Sequence, residues 1–428
     1  MKSLCSNAEV IYKNILKKSW LEGFVTPDYD EYCITNIPAT ILETFGISHK
    51  NGNPLVNPEL KSVLDGVNRV ILLIVDSLGY QQMLNALTDH HSILNRSIDK
   101  AILFPLTSTF ASTTPTALAS LSTGLTPQQH AITGYSIYLK QLGLVANMVN
   151  FSPSTDPRRD SLLDVGLDPS QFLGAKTLHE IFNEEGYQSH VVTRWTFRNS
   201  ALTRMFHKGA NLELYVDTSD LCIKLKRLIE SNPYEESYIL AYWDTLDTTS
   251  HVYGPNSEEV KAAIRSLFYS LKTEFLDRVN NDSTKKTILL VASDHGHHTL
   301  VKEKTVIISD HQKLFQDLQI PPTGSSRAPY LYPKPGRLES VKDYLSKHFG
   351  DCFHLLESKE ALNRGLFGRG KISDQTLNRI GELLVIPNEG SSLYYPYRQH
   401  RSDQVLKGGH GGLMKDEMIV PLLILKLK

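Results

Sequence analysis

Six residues in this sequence have the chemistry and the placement to share metal ions: Asp76, Asp247, His251, Asp294, His295 and His410. Asp76 follows an apolar run at residues 70–75. Asp247 and His251 follow a second run at 238–243, and Asp294 and His295 a third at 287–291. His410 sits in a Gly-Gly-His-Gly-Gly stretch just ahead of a fourth run at 418–425. Imidazole and carboxylate without thiolate suit Zn²⁺, and also Mn²⁺ or Fe²⁺. The four-residue step from Asp247 to His251 puts both side chains on one helix face. Asp294 and His295 are adjacent, so a turn at a strand end can direct both inward. The set exceeds what one tetrahedral zinc takes, and two ions close together suit in-line attack at phosphorus. Asp244 reads as a partner of the Asp247 segment rather than a ligand, and His297 and His298 as lining.

A metal pair needs a nucleophile, and residues 104–124 are rich in hydroxyls. Thr114 followed by Pro115 reads as an N-cap and first helical residue, with the helix running over 115–123 and stopping at Gly124. The start of such a helix offers free N–H groups to a phosphoryl group. A threonine hydroxyl attacks only when a metal or a base lowers its pKa.

These residues need a scaffold that gathers strand ends. The four apolar runs, with a weaker one at 190–193, alternate with helical patterns such as 176–185 and 257–280. That rhythm predicts an α/β fold, a doubly wound and mostly parallel sheet flanked by helices. In such sheets ligands collect at the carboxyl ends of the strands, where the six residues fall. Residues 1–66, broken by Pro27, Pro38, Pro54 and Pro58, read as an N-terminal helical and loop extension. Residues 67–299 and 401–428 form the expected catalytic core. Proline-rich 300–400, with a helical pattern at 339–349, reads as an inserted cap.

Composition limits the partners. The chain has 428 residues, with 45 Lys and Arg against 46 Asp and Glu, so it lacks the basic surplus needed to grip a nucleic-acid polymer. Its cysteines, Cys5, Cys33, Cys222 and Cys352, are too scattered for a disulfide scaffold or a thiolate zinc site. Residues 1–20 are too polar for a signal peptide, and no apolar run approaches the ~18 residues of a membrane span. The expectation is a cytoplasmic enzyme without a membrane partner. Gly365 to Lys371 fits part of a phosphate-binding loop, but Ile372 stands where Ser or Thr is needed, so it reads as a basic turn.

Taken in order, Asp76 after its strand, the Thr-rich turn, Asp247-xxx-His251, Asp294-His295-Gly296 and His410-Gly-Gly resemble the alkaline phosphatase superfamily. Within it they are most similar to the type I phosphodiesterase/nucleotide pyrophosphatase branch. The resemblance implies two divalent metal ions, Zn²⁺ in the first place and Mn²⁺ as a substitute. Asp247, His251 and His410 would hold one ion. Asp76, Asp294, His295 and the Thr114 oxygen would hold the other. Thr114 would be the nucleophile, counted ten residues back from Gly124, with Thr113 as the alternative. The implied activity is hydrolysis of phosphodiester or pyrophosphate bonds in a small, nucleotide-like substrate through a phosphothreonine. A phosphomonoesterase or phosphomutase on the same scaffold is the alternative. One departure concerns substrate. Ecto-type members follow the threonine with Phe-Pro-Asn, whereas this chain has Pro115-Thr116-Ala117. The phosphate contact would then fall to Thr116, Asn147, Asn150 or backbone N–H groups. The tyrosines at 394, 395 and 397 could stack a base or simply pack, and Arg194, Trp195 and Arg198 could face substrate.

Overall fold

The computed structural model describes residues 6–88, 101–398 and 406–427, so Cys5 lies outside the described residues. Arg69–Val75 is buried along its whole length and pairs in parallel with Ser237–Trp243 on one side and Thr287–Ala292 on the other. A strand buried on both faces needs apolar side chains at every position, and Val70 to Val75 supply them. The sheet continues in parallel through Gln188–Arg194 to Asn211–Tyr215. On the other side it passes through Ile419–Lys426 to Ile102–Thr107, making seven strands. Only Ile419–Lys426 runs against the rest among these strands. The mostly parallel, helix-flanked sheet expected from the sequence is therefore present.

The reversed strand decides where the last motif lands. Leu422 pairs with Ala292 at the end of its strand, and Ile419 pairs with Thr107 at the end of the edge strand. The start of Ile419–Lys426 thus lies at the carboxyl edge of its neighbours. His410, upstream of it, reaches the same edge as the other candidate ligands.

Two core strands do not stand out in the sequence. Ile102–Thr107 contains Pro105, which argues against a central strand but is tolerated at an edge, where this strand lies. Asn211–Tyr215 is the opposite edge and is mostly open to solvent, so it needs no apolar run. The helix Thr114–Thr123 begins one residue earlier than its Thr-Pro signal suggests. Thr113, extended at φ −127° and ψ 146°, is the N-cap, and Thr114 is the first helical residue. Gly124 ends the helix in the left-handed region at φ 72°, the conformation glycine adopts without strain.

A second, antiparallel sheet covers the site end of the molecule. Its order is Phe353–Glu357, Leu383–Pro387, Ala328–Pro333, Leu318–Ser325, Ser136–Leu139, Leu144–Asn147 and Ser152–Pro153. It joins strands from the 300–400 stretch to strands that follow the Thr114–Thr123 helix. Leu338–Phe349 packs over a separate apolar cluster that includes Val341, Leu345, Leu331 and Leu383. The described part of the N-terminal segment is tied to the main sheet. The Ile34 N–H donates to the Thr107 carbonyl at 2.9 Å, and the Val25 N–H to that of Leu413 at 2.8 Å. Among the described residues no helix is long and apolar enough to cross a membrane.

Leu72 lies at the centre of the most buried strand with none of its surface exposed. Leu72→Ala should cost about 2–5 kcal/mol in chemical denaturation, by lost transfer energy and the cavity left behind. Leu377→Ala, at a site 56% exposed, should change stability by less than about 0.5 kcal/mol.

Candidate metal centre

The turns after the strands place the carboxylates. Asp76 continues its strand, its N–H donating to the Trp243 carbonyl at 2.9 Å. The next residue, Ser77, has φ 71°, a left-handed conformation costly for a residue other than glycine and often kept at functional sites. That turn aims the Ser77 N–H at Asp294 Oδ1, 3.0 Å away, and the His295 N–H reaches the same oxygen at 2.9 Å. Gly296 follows because no larger residue fits: a Cβ there would lie 1.9 Å from the Asp416 carbonyl oxygen. Asp247 and His251 lie on the helix Thr245–Tyr253, with His251 Nε2 3.5 Å from Asp247 Oδ1, as their spacing predicts. Asp244 stands at the head of that helix and accepts from Arg194 Nε at 2.9 Å, so Arg194 is tied down there.

The three histidines are held the same way. Nδ1 lies 3.0 Å from the Gly296 carbonyl in His295, 2.9 Å from that of Gly408 in His251, and 3.0 Å from that of Ser112 in His410. A carbonyl can only accept, so each Nδ1 carries the proton and each Nε2 keeps its lone pair. Those lone pairs converge on carboxylates. His295 Nε2 is 3.3 Å from Asp294 Oδ2 and 3.6 Å from Asp76 Oδ1, and His410 Nε2 is 3.5 Å from Asp247 Oδ1. Fixing the far nitrogen on a carbonyl is the usual way to orient a metal-binding imidazole. Burial holds the His295 ring down at about 4 and the His410 ring at about 3, so both are neutral, ligand-ready imidazoles near pH 7.

The carboxylates are short of partners. Asp76 Oδ1, Asp247 Oδ1 and Asp294 Oδ2 are buried and accept no hydrogen bond. Burial, reinforced by the Asp294 and Asp247 charges, pushes the Asp76 carboxyl well above the usual range. Burial also raises Asp294 to about 6. A buried acceptor without a donor is costly, and three facing one another beside neutral imidazoles are relieved by cations. The donor atoms within reach of one another form the sets Asp76-Asp294-His295, Asp247-His295-His410 and Asp247-His251-His297. Oxygen and imidazole donors in such groups fit divalent ions of the zinc or manganese type.

Thr114 stands beside these sets. Its Oγ1 lies 3.1 Å from His295 Nε2, and it alone in the helix Thr114–Thr123 is not buried. Thr113 is buried with its hydroxyl 3.0 Å from that of Thr116, which is buried as well. Asn147 and Asn150 lie in and just after the second sheet, where Asn147 Oδ1 accepts the Asn150 N–H at 2.9 Å.

Comparison with known proteins places the chain in a family. Residues 70–413 match the family described as type I phosphodiesterase/nucleotide pyrophosphatase. The chain belongs to that family. Human ectonucleotide pyrophosphatase/phosphodiesterase family member 7 is 29% identical over 130 residues, 27% of this chain and 28% of that protein. Its mouse counterpart is 33% identical over 119 residues, 26% of each. These matches span little more than a quarter of the curated relatives. Among solved structures, murine ectonucleotide pyrophosphatase/phosphodiesterase 5 aligns with a TM-score of 0.60 at 19% identity, covering 83% of this chain and 87% of that one. An inactive form of it was solved in complex with AMP. Phosphonoacetate hydrolase from Sinorhizobium meliloti 1021, in complex with phosphonoformate, aligns at 0.58 and 17% identity over 83% and 89%. At these identities the structures show a shared fold.

In this phosphodiesterase-family chain one residue at the centre, Tyr242, is not evident from motif order. The Tyr242 hydroxyl donates to Asp76 Oδ2, which only the strand register could reveal, since Ile74 pairs with Tyr242. His297, beside the Asp294-His295 pair, spends Nδ1 on the Ser77 hydroxyl at 2.6 Å and packs against Gly408. Its neighbour His298 meets Asp416 at 2.9 Å and accepts the Gly390 N–H through Nε2, outside the ligand sets. Gly368, in the sequence stretch that partly fits a phosphate loop, packs on Thr126, where a Cβ would lie 2.3 Å from the side chain.

Because Asp76 and Asp294 are raised, they keep protons in the metal-free protein that a cation must expel. Titration with Zn²⁺ or Mn²⁺ at about pH 5.5 should release roughly one to two protons per protein. The release should shrink as pH rises through the Asp294 value of about 6. Calorimetry in buffers of different ionisation enthalpy measures this directly, and release independent of pH would contradict the assignment.

Proposed function

We propose that this chain is a metal-dependent hydrolase that cleaves phosphodiester or pyrophosphate bonds of a small, nucleotide-like substrate through a phosphothreonine at Thr114. The observation that carries the reading is the convergence of three unpartnered buried carboxylate oxygens and three Nε2 lone pairs, with the Thr114 hydroxyl 3.1 Å from His295 Nε2. Membership of the type I phosphodiesterase/nucleotide pyrophosphatase family supports the reaction class. The AMP complex of a structural relative supports a nucleotide-like substrate.

Asp247, His251 and His410 would hold one divalent ion, and Asp76, Asp294, His295 and the Thr114 oxygen the other, with zinc as the preferred metal and manganese as a substitute. Bound there, such ions supply Lewis acidity that lowers the pKa of a hydroxyl and offsets charge on phosphoryl oxygens. The protein supplies the rest. Thr114, as the first helical residue, projects its hydroxyl from a rigid, otherwise buried helix. Pro115 has no N–H, and among the described residues neither Thr114 nor Thr116 gives its backbone N–H to a protein acceptor. Those two N–H groups and the positive end of the helix suit phosphoryl oxygens, in place of the asparagine side chain of the ecto-type pattern. Tyr242 and the backbone donors on Asp294 hold the carboxylates still, so little reorganisation accompanies reaction. The same reading keeps the protein in a reducing, cytoplasmic compartment, supported by free thiols at Cys33, Cys222 and Cys352.

Thr114→Ala should retain its metal but lower kcat on an aryl phosphodiester at least about a thousandfold, the scale expected for loss of a nucleophile. Chelation should abolish turnover, and zinc or manganese should restore it. Undiminished turnover by Thr114→Ala would refute the nucleophile, and full turnover after verified metal removal would refute the site.

A further inference from the structure

Beside the centre lies a cavity that the proposed reaction does not use. It measures about 100 Å³ and lies between the second sheet and the segment around Tyr395 and Tyr397. One wall residue, Ser325, connects it to the metal centre. Its hydroxyl donates to the His410 carbonyl at 3.4 Å, and a Cβ on Gly411 would lie 2.1 Å from the same oxygen.

The lining is one-sided in charge. Among the described residues it contains no aspartate or glutamate, and the single charged side chain among them is Arg398, which makes no ion pair with the rest. Two hydroxyls add to that bias. Asn147 Oδ1 is taken by the Asn150 N–H, which fixes its amide so that Nδ2 donates to the Tyr135 hydroxyl at 2.8 Å. Tyr135 therefore accepts from Asn147 and keeps its own proton to donate into the cavity. Ser154 Oγ, also in the lining, is buried without a partner. The aromatic walls are held rigid, Tyr395 by stacking on Phe315 at 5.3 Å and Tyr397 by donating to the Pro322 carbonyl at 2.6 Å. A cavity of donors and one cation calls for an acceptor-rich anion. Its volume, about 100 Å³, is well under the roughly 300–1,000 Å³ of sites that enclose a drug-sized ligand, and suits a small group better than a whole nucleoside.

We propose that this cavity receives a second anionic group of the substrate, a carboxylate or phosphoryl group joined by a short link to the reacting phosphorus. Arg398 is its charge partner, and Tyr135 and Ser154 are its hydroxyl donors. The inference rests on the phosphoryl-transfer reading above and narrows it to doubly anionic substrates.

Three phosphonates test it by calorimetry on the metal-loaded protein: propylphosphonate and its analogues ending in a carboxylate or in a second phosphonate. In the wild type a terminal anion should tighten binding at least about tenfold, as a desolvated charge-assisted pair would, and the better analogue identifies which anion the cavity takes. In Arg398→Gln that ratio should fall towards one. Tyr135→Phe, which keeps the ring, should lose part of it. No gain in the wild type, or a gain that survives Arg398→Gln, overturns the inference. Kinetics on a pair of aryl phosphodiesters, with and without a terminal carboxylate, separate it from its premise. A wild type that hydrolyses both at equal efficiency overturns the inference alone, whereas one inert to every phosphate ester overturns the hydrolase reading and the inference together.

Discussion

The convergence of three buried, unpartnered carboxylate oxygens governs this structure. Asp76, Asp247 and Asp294 meet at one sheet edge, each with an oxygen that accepts no hydrogen bond, and their only ion-pair neighbours among the described residues are histidines. Two like charges about 4 Å apart repel by about 4 kcal/mol even at an effective dielectric of 20. A protein built for stability alone would place an arginine there or replace the acids. Here the His295 and His410 rings are kept neutral by burial, so they supply no compensating charge.

Such an arrangement holds only if its surroundings are stiffer than the repulsion. The stiffness comes from backbone and buried polar contacts rather than from side chains that could swing away. Arg327 and Glu417, both fully buried, pair through Nε to Oε1 at 3.1 Å and Nη2 to Oε2 at 2.8 Å. Glu417 also accepts the Gly412 N–H at 2.9 Å and the Met414 N–H at 3.1 Å, while Arg327 donates to the Asn388 carbonyl at 2.9 Å. A buried ion pair adds little net stability, but one with its remaining groups satisfied locks geometry. This one clamps the turn that carries His410 to the second sheet. Ser112 completes the clamp, donating to the Gly412 carbonyl at 2.8 Å and accepting the Gly411 N–H at 3.1 Å.

The near-neutral composition acquires a specific meaning in this context. On the proposed reading anion recognition would be concentrated at one edge, in a helix start, a pair of ion sites and a cavity lined by Arg398, so the chain would need no basic surface to attract a phosphate. The second sheet is what makes this possible. It brings Tyr135 and Asn147, close in sequence to the Thr114–Thr123 helix, against Ser325, which belongs to the proline-rich stretch nearly two hundred residues later.

By itself the sequence determined the local chemistry. The helical step from Asp247 to His251, the Asp294-His295 turn closed by Gly296, and the apolar run that makes Arg69–Val75 a doubly covered strand are all short-range patterns. Short-range sterics and hydrophobic periodicity suffice to read them. Even the helix start at Thr114 was legible to within one residue, because the Thr-Pro pair restricts the backbone locally. Tertiary structure decided the rest. Nothing in the pattern of residues 418–425 reveals that this strand runs antiparallel, yet that reversal delivers His410 to the ligand edge. Nothing local shows that Tyr242 will bond Asp76, that Ile102–Thr107 can carry Pro105 at a sheet edge, or that Arg327 will meet Glu417. These depend on strand direction, register and the meeting of segments far apart in the chain, which are set by how whole faces bury one another.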